Sequence, residues 1–472
     1  MTARPLIARQ PNERLLSLIR EAGCSNAGLA RRVNMCAAER GFDFRYDKTS
    51  VARWIRGQQP RGRAPDVIAE ALGRKLGRPV TVDEIGMGTA RQLTSSVGLH
   101  FASGLSECLE QATELWHSDV ARRESGEGLG PYAAGGSHVA PAALVEPSRD
   151  WLITPADAEV ARSSGPRVGS ADVEAVLATT TALVDLDRRW GAGHVRPVVA
   201  HYLNSVVAGL LSGSYRETVG RELFGAAARL TELAGYMAVD SGLPGLAQRY
   251  YIQALRLAQA AGDRGFGGYV LAAGMSHLAA ELGNPREVIQ LARAAQEGSR
   301  GRATPRAEAL FLAAEARGYA QLGDRESCRR AASAALAAME SAGAGSGEEP
   351  AWIAHFDAAY LADELAHCHR DLGQGRAASQ RAAEALSWHP EGRARRRAVG
   401  LLLLATGHLQ EGDVEAACGA AEQAGTLLNG LRSGRGAHYF EDFTTRLEPH
   451  RSEPVVREFA ARWEGSAVAA GV

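Results

Sequence analysis

The residues best suited to chemistry in this chain are hydrogen-bond donors with positive charge, gathered in the segment Asp47–Gly57 (DKTSVARWIRG). Lys and Arg side chains can donate to guanine O6 and N7, and an Ala methyl can meet a thymine methyl in the major groove of DNA. In a helix, Val51, Trp54 and Ile55 would pack inward and leave the other side exposed. That exposed side would carry Lys48, Thr49, Ala52, Arg53 and Arg56.

A loop rich in arginine follows this segment. Arg61 and Arg63 flank Gly62 on flexible backbone, which suits contacts to phosphate rather than to bases. In a helix-turn-helix, the first residues of the second helix contact the edges of the bases, while neighbouring groups contact the DNA backbone. The candidate DNA-binding residues are therefore Ser25, Asn26, Lys48, Thr49, Ser50, Arg53, Arg56, Arg61 and Arg63.

Four short helices are predicted to position these side chains. Apolar spacing and capping residues place them at 12–22, 25–40, 47–56 and 65–76, with a short piece at 81–85. Residues 1–88 contain sixteen Lys and Arg against nine Asp and Glu, a net charge of +7, so the rest of the chain carries −8. A compact basic module on an acidic body is typical of phosphate binding.

The remainder of the chain is predicted to be helical and repetitive. The glycines of five similar turns, which lie 41, 40, 50 and 39 residues apart, are Gly242, Gly283, Gly323, Gly373 and Gly412. A period near 40 with two helices per unit predicts a helical solenoid. The predicted domains are 1–88 (DNA-binding), 89–123 (a connecting amphipathic helix), 124–149 (a flexible linker) and 150–472 (helical repeats).

Motifs in both parts of this all-α chain resemble a known family. Trp54, Gly57, Pro60 and the run Ile68–Leu72, together with the pair Leu29-Ala30, resemble the XRE-like (phage-repressor-like) helix-turn-helix. The 23 residues between Ala30 and Trp54 exceed the usual tight turn of that family, so helix two must lengthen or a loop must form. The downstream half resembles tetratricopeptide-like arrays.

The whole arrangement resembles actinomycete (Streptomyces-type) regulators that join such a head to such repeats, including negative regulators of differentiation. The resemblance implies a transcriptional regulator of development or secondary metabolism that binds double-stranded DNA. We expect a homodimer, with the helix at 101–121 either packed on the repeats or, as we favour, forming the dimer contact. The alternative is a protein-interaction scaffold whose helix-turn-helix does not bind DNA.

Stacked helix pairs make a concave groove suited to a small-molecule, peptide or protein effector. The candidate groove residues are Tyr236, Tyr250, Tyr251, Tyr319, Trp352 and Tyr360. The basic run Arg393–Arg397 is expected to be a solvated helix face, with contact to an acidic partner or to another part of the chain as the alternative.

Several function classes find no support in the sequence. No P-loop, HExxH or GxSxG motif is present, so we expect neither an enzyme nor a cofactor. His367, Cys368 and His369 do not share a helix face, so no metal site is expected. Six scattered cysteines, no long apolar run and no apolar segment behind the N-terminus favour a cytoplasmic protein that neither enters nor crosses a membrane.

Overall fold

The structure is a computed structural model that describes residues 12–39, 44–58, 60, 64–76, 78, 80, 84–85, 97–124, 139–140, 142–344, 349–390, 392–431 and 433–464. The described residues are helical, and two isolated β-bridges near Tyr215 are their only β-pairing. The prediction of an all-α chain is confirmed. Contacts divide the chain into two compact units, 1–94 and 95–472. Each is described separately below.

The first unit is a small helical module. Its helices are α1 (Glu13–Glu21), α2 (Asn26–Glu39), α3 (Lys48–Ile55) and α4 (Ala64–Leu76). All four lie within two residues of their predicted bounds. Of the short helix predicted at 81–85, residues 81–83 lie outside the described residues, and 84–85 form a turn. The core of this unit includes Leu15, Leu29, Val33, Val51, Trp54, Ile68 and Leu72.

The second unit begins with helices that cover the start of the repeats. They are α5 (Leu105–Glu124), α6 (Glu146–Ile153), α7 (Ser170–Trp190), α8 (Ala192–Tyr202) and α9 (Ala208–Leu211). Because α6 begins at Glu146 and buries Pro147 and Ser148, the last part of the range expected to be a linker is folded. Residues 125–138 and 141 of that range lie outside the described residues.

The apolar side of α5 is buried inside its own unit. Cys108, Ala112, Leu115 and Trp116 are fully buried, and α5 packs on α8 and on α11 (Pro244–Ala261). The dimer contact that we expected from this helix is therefore not available on its apolar side. The reason is that the repeat region supplies a complementary apolar surface within the same chain.

Helical hairpins form the rest of the second unit. The remaining helices are α10 (Glu217–Asp240), α12 (Arg264–Tyr269), α13 (Ser276–Glu281), α14 (Pro285–Gly298), α15 (Pro305–Gln321), α16 (Arg325–Ala344), α17 (Ala358–Asp371), α18 (Gly375–Trp388), α19 (Ala394–Glu411), α20 (Val414–Leu428), α21 (Gly434–Leu447) and α22 (Pro454–Trp463). A π-helical segment, Val270–Met275, joins α12 to α13, and another, Leu203–Val207, joins α8 to α9.

The five repeated glycines lie in the turns between these helices. Each has a positive φ of 67–84°, a region that glycine adopts without steric cost, and each follows the end of one helix and precedes the next. The hairpins are α10–α11, α13–α14, α15–α16, α17–α18 and α19–α20.

The last hairpins return to the first. Arg395 of α19 donates to Asp187 of α7 (2.6 Å) and to Asp240 of α10 (3.0 Å). Ser433, next to α21, donates its hydroxyl to Asp240 as well (2.6 Å). The stack therefore closes around an inner face to which α10, α13, α15, α17, α19 and α21 contribute.

Candidate nucleic-acid interface and inner polar network

The helix α3 is fixed at its N-terminus by its own sequence. The Ser50 hydroxyl accepts from the Asp47 backbone N–H (3.5 Å) and the Asp47 carboxylate accepts from the Ser50 backbone N–H (2.8 Å), and together these two bonds form a capping box. The carboxylate also accepts from the Ser50 hydroxyl (2.9 Å). The hydrogen bonds to the carboxylate, the one from the backbone first, lower the pKa of Asp47 below its ordinary value. The inward face is held by Val51 and Trp54, and the Trp54 ring meets Tyr46 edge-on at 4.9 Å between centroids.

The outward face of α3 presents cations. Lys48, Thr49, Arg53 and Arg56 are exposed. Within the part of the chain that the structure describes, none of the three cations forms an ion pair. Arg53 donates to the Ser50 hydroxyl (3.3 Å), and Arg56 donates to the Ala52 carbonyl (3.2 Å). Both guanidiniums therefore keep further donors free for a partner outside the unit.

One of the nine candidate DNA contacts is wrong. Ser50 is buried, because its hydroxyl and backbone N–H are both used in the capping box. Ser25 is exposed and caps α2 by accepting from the Gly28 N–H (3.1 Å), while Asn26 is half-buried. Arg61 and Arg63 lie outside the described residues.

A positioning residue that the sequence pattern did not reveal is Asn34 on α2. Its side-chain amide donates to the Tyr46 carbonyl (2.9 Å), and its side-chain oxygen accepts from the Tyr46 N–H (3.0 Å). This two-way bond fastens the segment before α3 to α2. The added residues between Ala30 and Trp54 are thus accommodated partly by extending α2 to Glu39 and partly by a segment tied back to it.

In the second unit, ionic and aromatic side chains from seven helices meet on the inner face. We call this set the inner polar network, and it comprises Glu232, Tyr236, Tyr269, His277, Arg317, Tyr360, Glu364, His367, Arg395, Arg396, Arg435 and Tyr439. Arg317 pairs with Glu364 (3.1 Å), and Arg435 pairs with Glu281 (3.1 Å). Most charges of the network are therefore neutralised locally.

Arginine–aromatic contacts connect the network. The Arg396 guanidinium lies 3.5 Å from the centre of the Tyr360 ring, and Arg395 and Arg435 lie 5.3 Å and 5.9 Å from that of Tyr236. Desolvation opposes ionisation of Arg395, but the nearby Tyr236 and the carboxylates of Asp240 and Asp187 outweigh it and raise its pKa. The basic run was expected mainly as a solvated face. That expectation is wrong for Arg395 and Arg396, which contact the chain itself.

The six groove candidates do not form one surface. Tyr236 and Tyr360 belong to the inner polar network, and Trp352 packs on Tyr269 at 5.2 Å between ring centroids. Tyr319 instead hydrogen-bonds Arg293, whose side chain is mostly exposed. Tyr250 was wrongly assigned to a groove, because it is fully buried and donates to Asp119 of α5 (2.8 Å).

Tyr251 is also a buried residue rather than an open groove residue. A Cβ added at Gly235 or at Gly274 would lie 2.8 Å or 2.7 Å from its ring, so these two glycines make the space that the ring fills. Burial raises the pKa of Tyr251 well above its ordinary value. In an Ala-rich helix, a large side chain can be buried where a facing glycine leaves space for it. The helix periodicity of the sequence alone does not reveal such a position.

Comparison with known proteins is informative for the first unit alone. Residues 15–88 match the family model described as the SP15 N-terminal domain. This SP15 N-terminal match spans α1 to α4 and ends before the second unit begins. No curated protein and no solved structure matches the chain.

Two searches of the described residues bear on other site types. No helix among them combines the length and the apolar composition that a membrane span needs. Nor do three His, Cys, Asp or Glu side chains of these residues gather in a set that could hold a metal ion. His367 faces the Tyr439 hydroxyl (3.4 Å), and His369 faces the Gln374 side chain (2.6 Å), so the two histidines take different partners.

Proposed function

We propose that the protein is a sequence-specific DNA-binding transcriptional regulator with an XRE-like helix-turn-helix and a tetratricopeptide-like effector domain. The observation that carries the proposal is the outward face of α3, where Lys48, Arg53 and Arg56 are exposed and free of ion pairs within the described residues. Exposed cations on a helix that is capped and anchored to the core are the groups that contact base edges in the major groove and the neighbouring phosphates.

The rigidity of α3 supports base reading rather than loose attraction to phosphate. The capping box fixes the first turn, and the buried Trp54 fixes the roll of the helix about its axis. Side chains on the opposite side therefore leave the module in defined directions. Direct readout requires such preorganisation, because a bidentate contact discriminates bases by only about 1–3 kcal/mol.

The second unit supplies the effector domain in this proposal. Five hairpins with a glycine turn at nearly constant spacing are typical of tetratricopeptide-like arrays, and their inner face gathers the polar network. An effector on that face would change the DNA affinity only if it bound two conformations of the protein with different affinities. A homodimer is part of the proposal, because two heads on paired half-sites bind far more tightly than one. The regulated genes would concern development or secondary metabolism, as in the regulators that the chain resembles.

The test is DNA binding by the full chain with matched arginine variants. Fragments of the source genome are selected with the wild type, and the Kd of the best fragment is measured for Arg53→Ala and Arg56→Ala. A lost base contact should weaken binding about 5- to 150-fold, and a lost phosphate contact should reduce the salt slope by about 0.9.

Arg74→Ala is the matched control, because Arg74 is also exposed but already pairs with Glu39 and Glu70. We expect it to leave the Kd nearly unchanged. If all three variants bind like the wild type, α3 is not the recognition helix.

The second candidate function is a protein-interaction scaffold without DNA binding. The added residues between Ala30 and Trp54 favour it, because they change the approach of α2 to any DNA. A wild type that binds selected and random fragments equally, with circular dichroism showing a folded chain, would support the scaffold.

A further inference from the structure

Two of the six cysteines lie against each other in the second unit. Cys328 is in the first turn of α16 and Cys368 is near the end of α17, and both belong to one small buried cluster with alanines of α15. The two thiols hydrogen-bond each other. Beside them, Arg325 of α16 donates to the Leu372 carbonyl at the end of α17 (3.4 Å). The two sulfur atoms are therefore neighbours in the folded chain.

Both thiols lie close to the glycine turns of the array. Cys328 follows the turn glycine Gly323 by five residues, and Cys368 precedes the turn glycine Gly373 by five residues. These turns belong to two successive hairpins, α15–α16 and α17–α18. A covalent bond between the two sulfurs would therefore join neighbouring hairpins near their turns.

A cavity opens beside the two cysteines. It has a volume of about 430 Å³ and is lined by both of them, together with other residues of α16, α17 and α18. One water needs only about 10–15 Å³ of such a volume, so a small oxidant fits as well. Elsewhere the two residues are covered, because only 4% of Cys328 and 2% of Cys368 is exposed. The cavity therefore admits a small molecule to the thiols and excludes a folded protein.

The two thiols differ in reactivity. The hydrogen bond with Cys368 lowers the pKa of the Cys328 thiol and outweighs burial and the carboxylates of Asp324 and Asp371, which raise it. The same hydrogen bond, with burial, raises the pKa of the Cys368 thiol well above its ordinary value. The first turn of α16 also favours a negative charge on Cys328 through the helix dipole. Because the thiolate is the reactive form, Cys328 is suited to attack and Cys368 to resolve the product.

Metal binding is the other chemistry that two thiols beside a histidine could perform. His369 lines the same cavity, but its ring is hydrogen-bonded to the Gln374 side chain (2.6 Å). Within the described part of the chain, no three such ligands gather in a set that could hold a metal ion. The arrangement therefore favours a reaction between the two sulfurs.

We propose that Cys328 and Cys368 are a peroxide-sensitive dithiol site that forms an intramolecular disulfide between α16 and α17. The Cys328 thiolate attacks one oxygen of hydrogen peroxide, the O–O bond breaks, and the departing hydroxide takes up a proton to become water. The Cys368 sulfur then attacks the resulting sulfenic acid, the S–O bond breaks, and a second water leaves with the Cys368 proton. One peroxide is thus reduced to two waters while two thiols are oxidised to one disulfide.

The experiment treats the reduced full chain with hydrogen peroxide and then counts the thiols that can be alkylated after unfolding. The count should fall by two from the six free cysteines, with a mass loss of about 2 Da. Peptide mapping should recover one peptide pair that joins Cys328 to Cys368. A wild type that keeps all six thiols would overturn the proposal, and so would a disulfide between other cysteines or a loss of thiols without the joined peptides.

Single substitutions test the role of each sulfur. In Cys368→Ala, oxidation should stop at the sulfenic acid of Cys328, which dimedone labels. In Cys328→Ala, the remaining Cys368 should react at least about tenfold more slowly than the wild-type pair, because its thiol is hardly ionised. Oxidation of Cys368 at the wild-type rate in that variant would refute the assigned roles.

Cys418→Ala is the matched control, because Cys418 is as buried as Cys368 and burial raises the pKa of its thiol to about 11. It should still lose two thiols. Circular dichroism shows whether each variant is folded, and the joined peptides of the wild type decide the proposal even where a variant is not. The site belongs to the second unit and the assay contains no DNA, so its outcome is independent of the DNA-binding test of Arg53 and Arg56.

Discussion

Removal of the Asp119 carboxylate tests whether α5 is anchored where the structure places it. Asp119 accepts from the Arg196 guanidinium (2.7 Å) and from the Tyr250 hydroxyl (2.8 Å), which join α5 to α8 and α11. Only 3% of either charged side chain is exposed. In Asp119→Ala, the guanidinium would remain buried without its carboxylate.

The expected cost follows from this burial. Removal of one partner of a buried ion pair costs about 3–5 kcal/mol, because the remaining buried charge loses the attraction that offset its removal from water. The hydroxyl of Tyr250 loses its acceptor as well, which adds about 1 kcal/mol. Such a loss is a large part of the roughly 5–15 kcal/mol that stabilises a typical domain.

The assay is urea unfolding of the full chain followed by far-ultraviolet circular dichroism. Asp185→Ala is the matched control, because Asp185 pairs with Arg188 (3.1 Å) on the exposed surface of α7, where an ion pair contributes at most about 1 kcal/mol. We expect Asp119→Ala to lower the midpoint several times more than the control, with an unchanged slope. Equal effects of the two substitutions would refute the buried anchor and the packing of α5 that depends on it.

Two further predictions concern packing and pH. Gly407→Ala should destabilise the chain by about 1–3 kcal/mol in thermal denaturation, because the new Cβ would lie 2.7 Å from the Ser379 backbone nitrogen. Gly419→Ala is the control: a Cβ there would have no atom within 4 Å, so the substitution should stabilise the chain by up to about 1 kcal/mol. Burial and neighbouring arginines lower the pKa of His355 to about 4. Between pH 6.5 and pH 4 the His355 imidazole is protonated in the unfolded chain but not in the folded one, so the free energy of unfolding should fall as the pH falls through this range. His355→Gln should reduce that loss of stability by at most about 3 kcal/mol. An acid denaturation profile that His355→Gln leaves unaltered, or equal effects of the two glycine substitutions, would contradict the respective prediction.

The helices were predictable because their signals are local. A capping residue such as Asp47 before a helix and a glycine after a helix can each be recognised from a few neighbouring residues. The five turn glycines all adopt the positive φ that their position requires. The inward and outward faces of α3 followed from helix periodicity in the same way. Ser50 was the exception. A hydroxyl at the third position of a capped helix can hydrogen-bond either within the capping box or to DNA, and its position in the sequence does not distinguish the two.

The inner polar network could not be predicted, because it depends on the closure of the stack. Arg395 meets Asp187 across 208 positions of sequence, and Ser433 meets Asp240 across 193. A basic run on an amphipathic helix is usually solvated, and here it faces inward only because the last hairpins return to α7 and α10. Tyr250 was misassigned for the same reason, since its partner Asp119 comes from a helix outside the repeats.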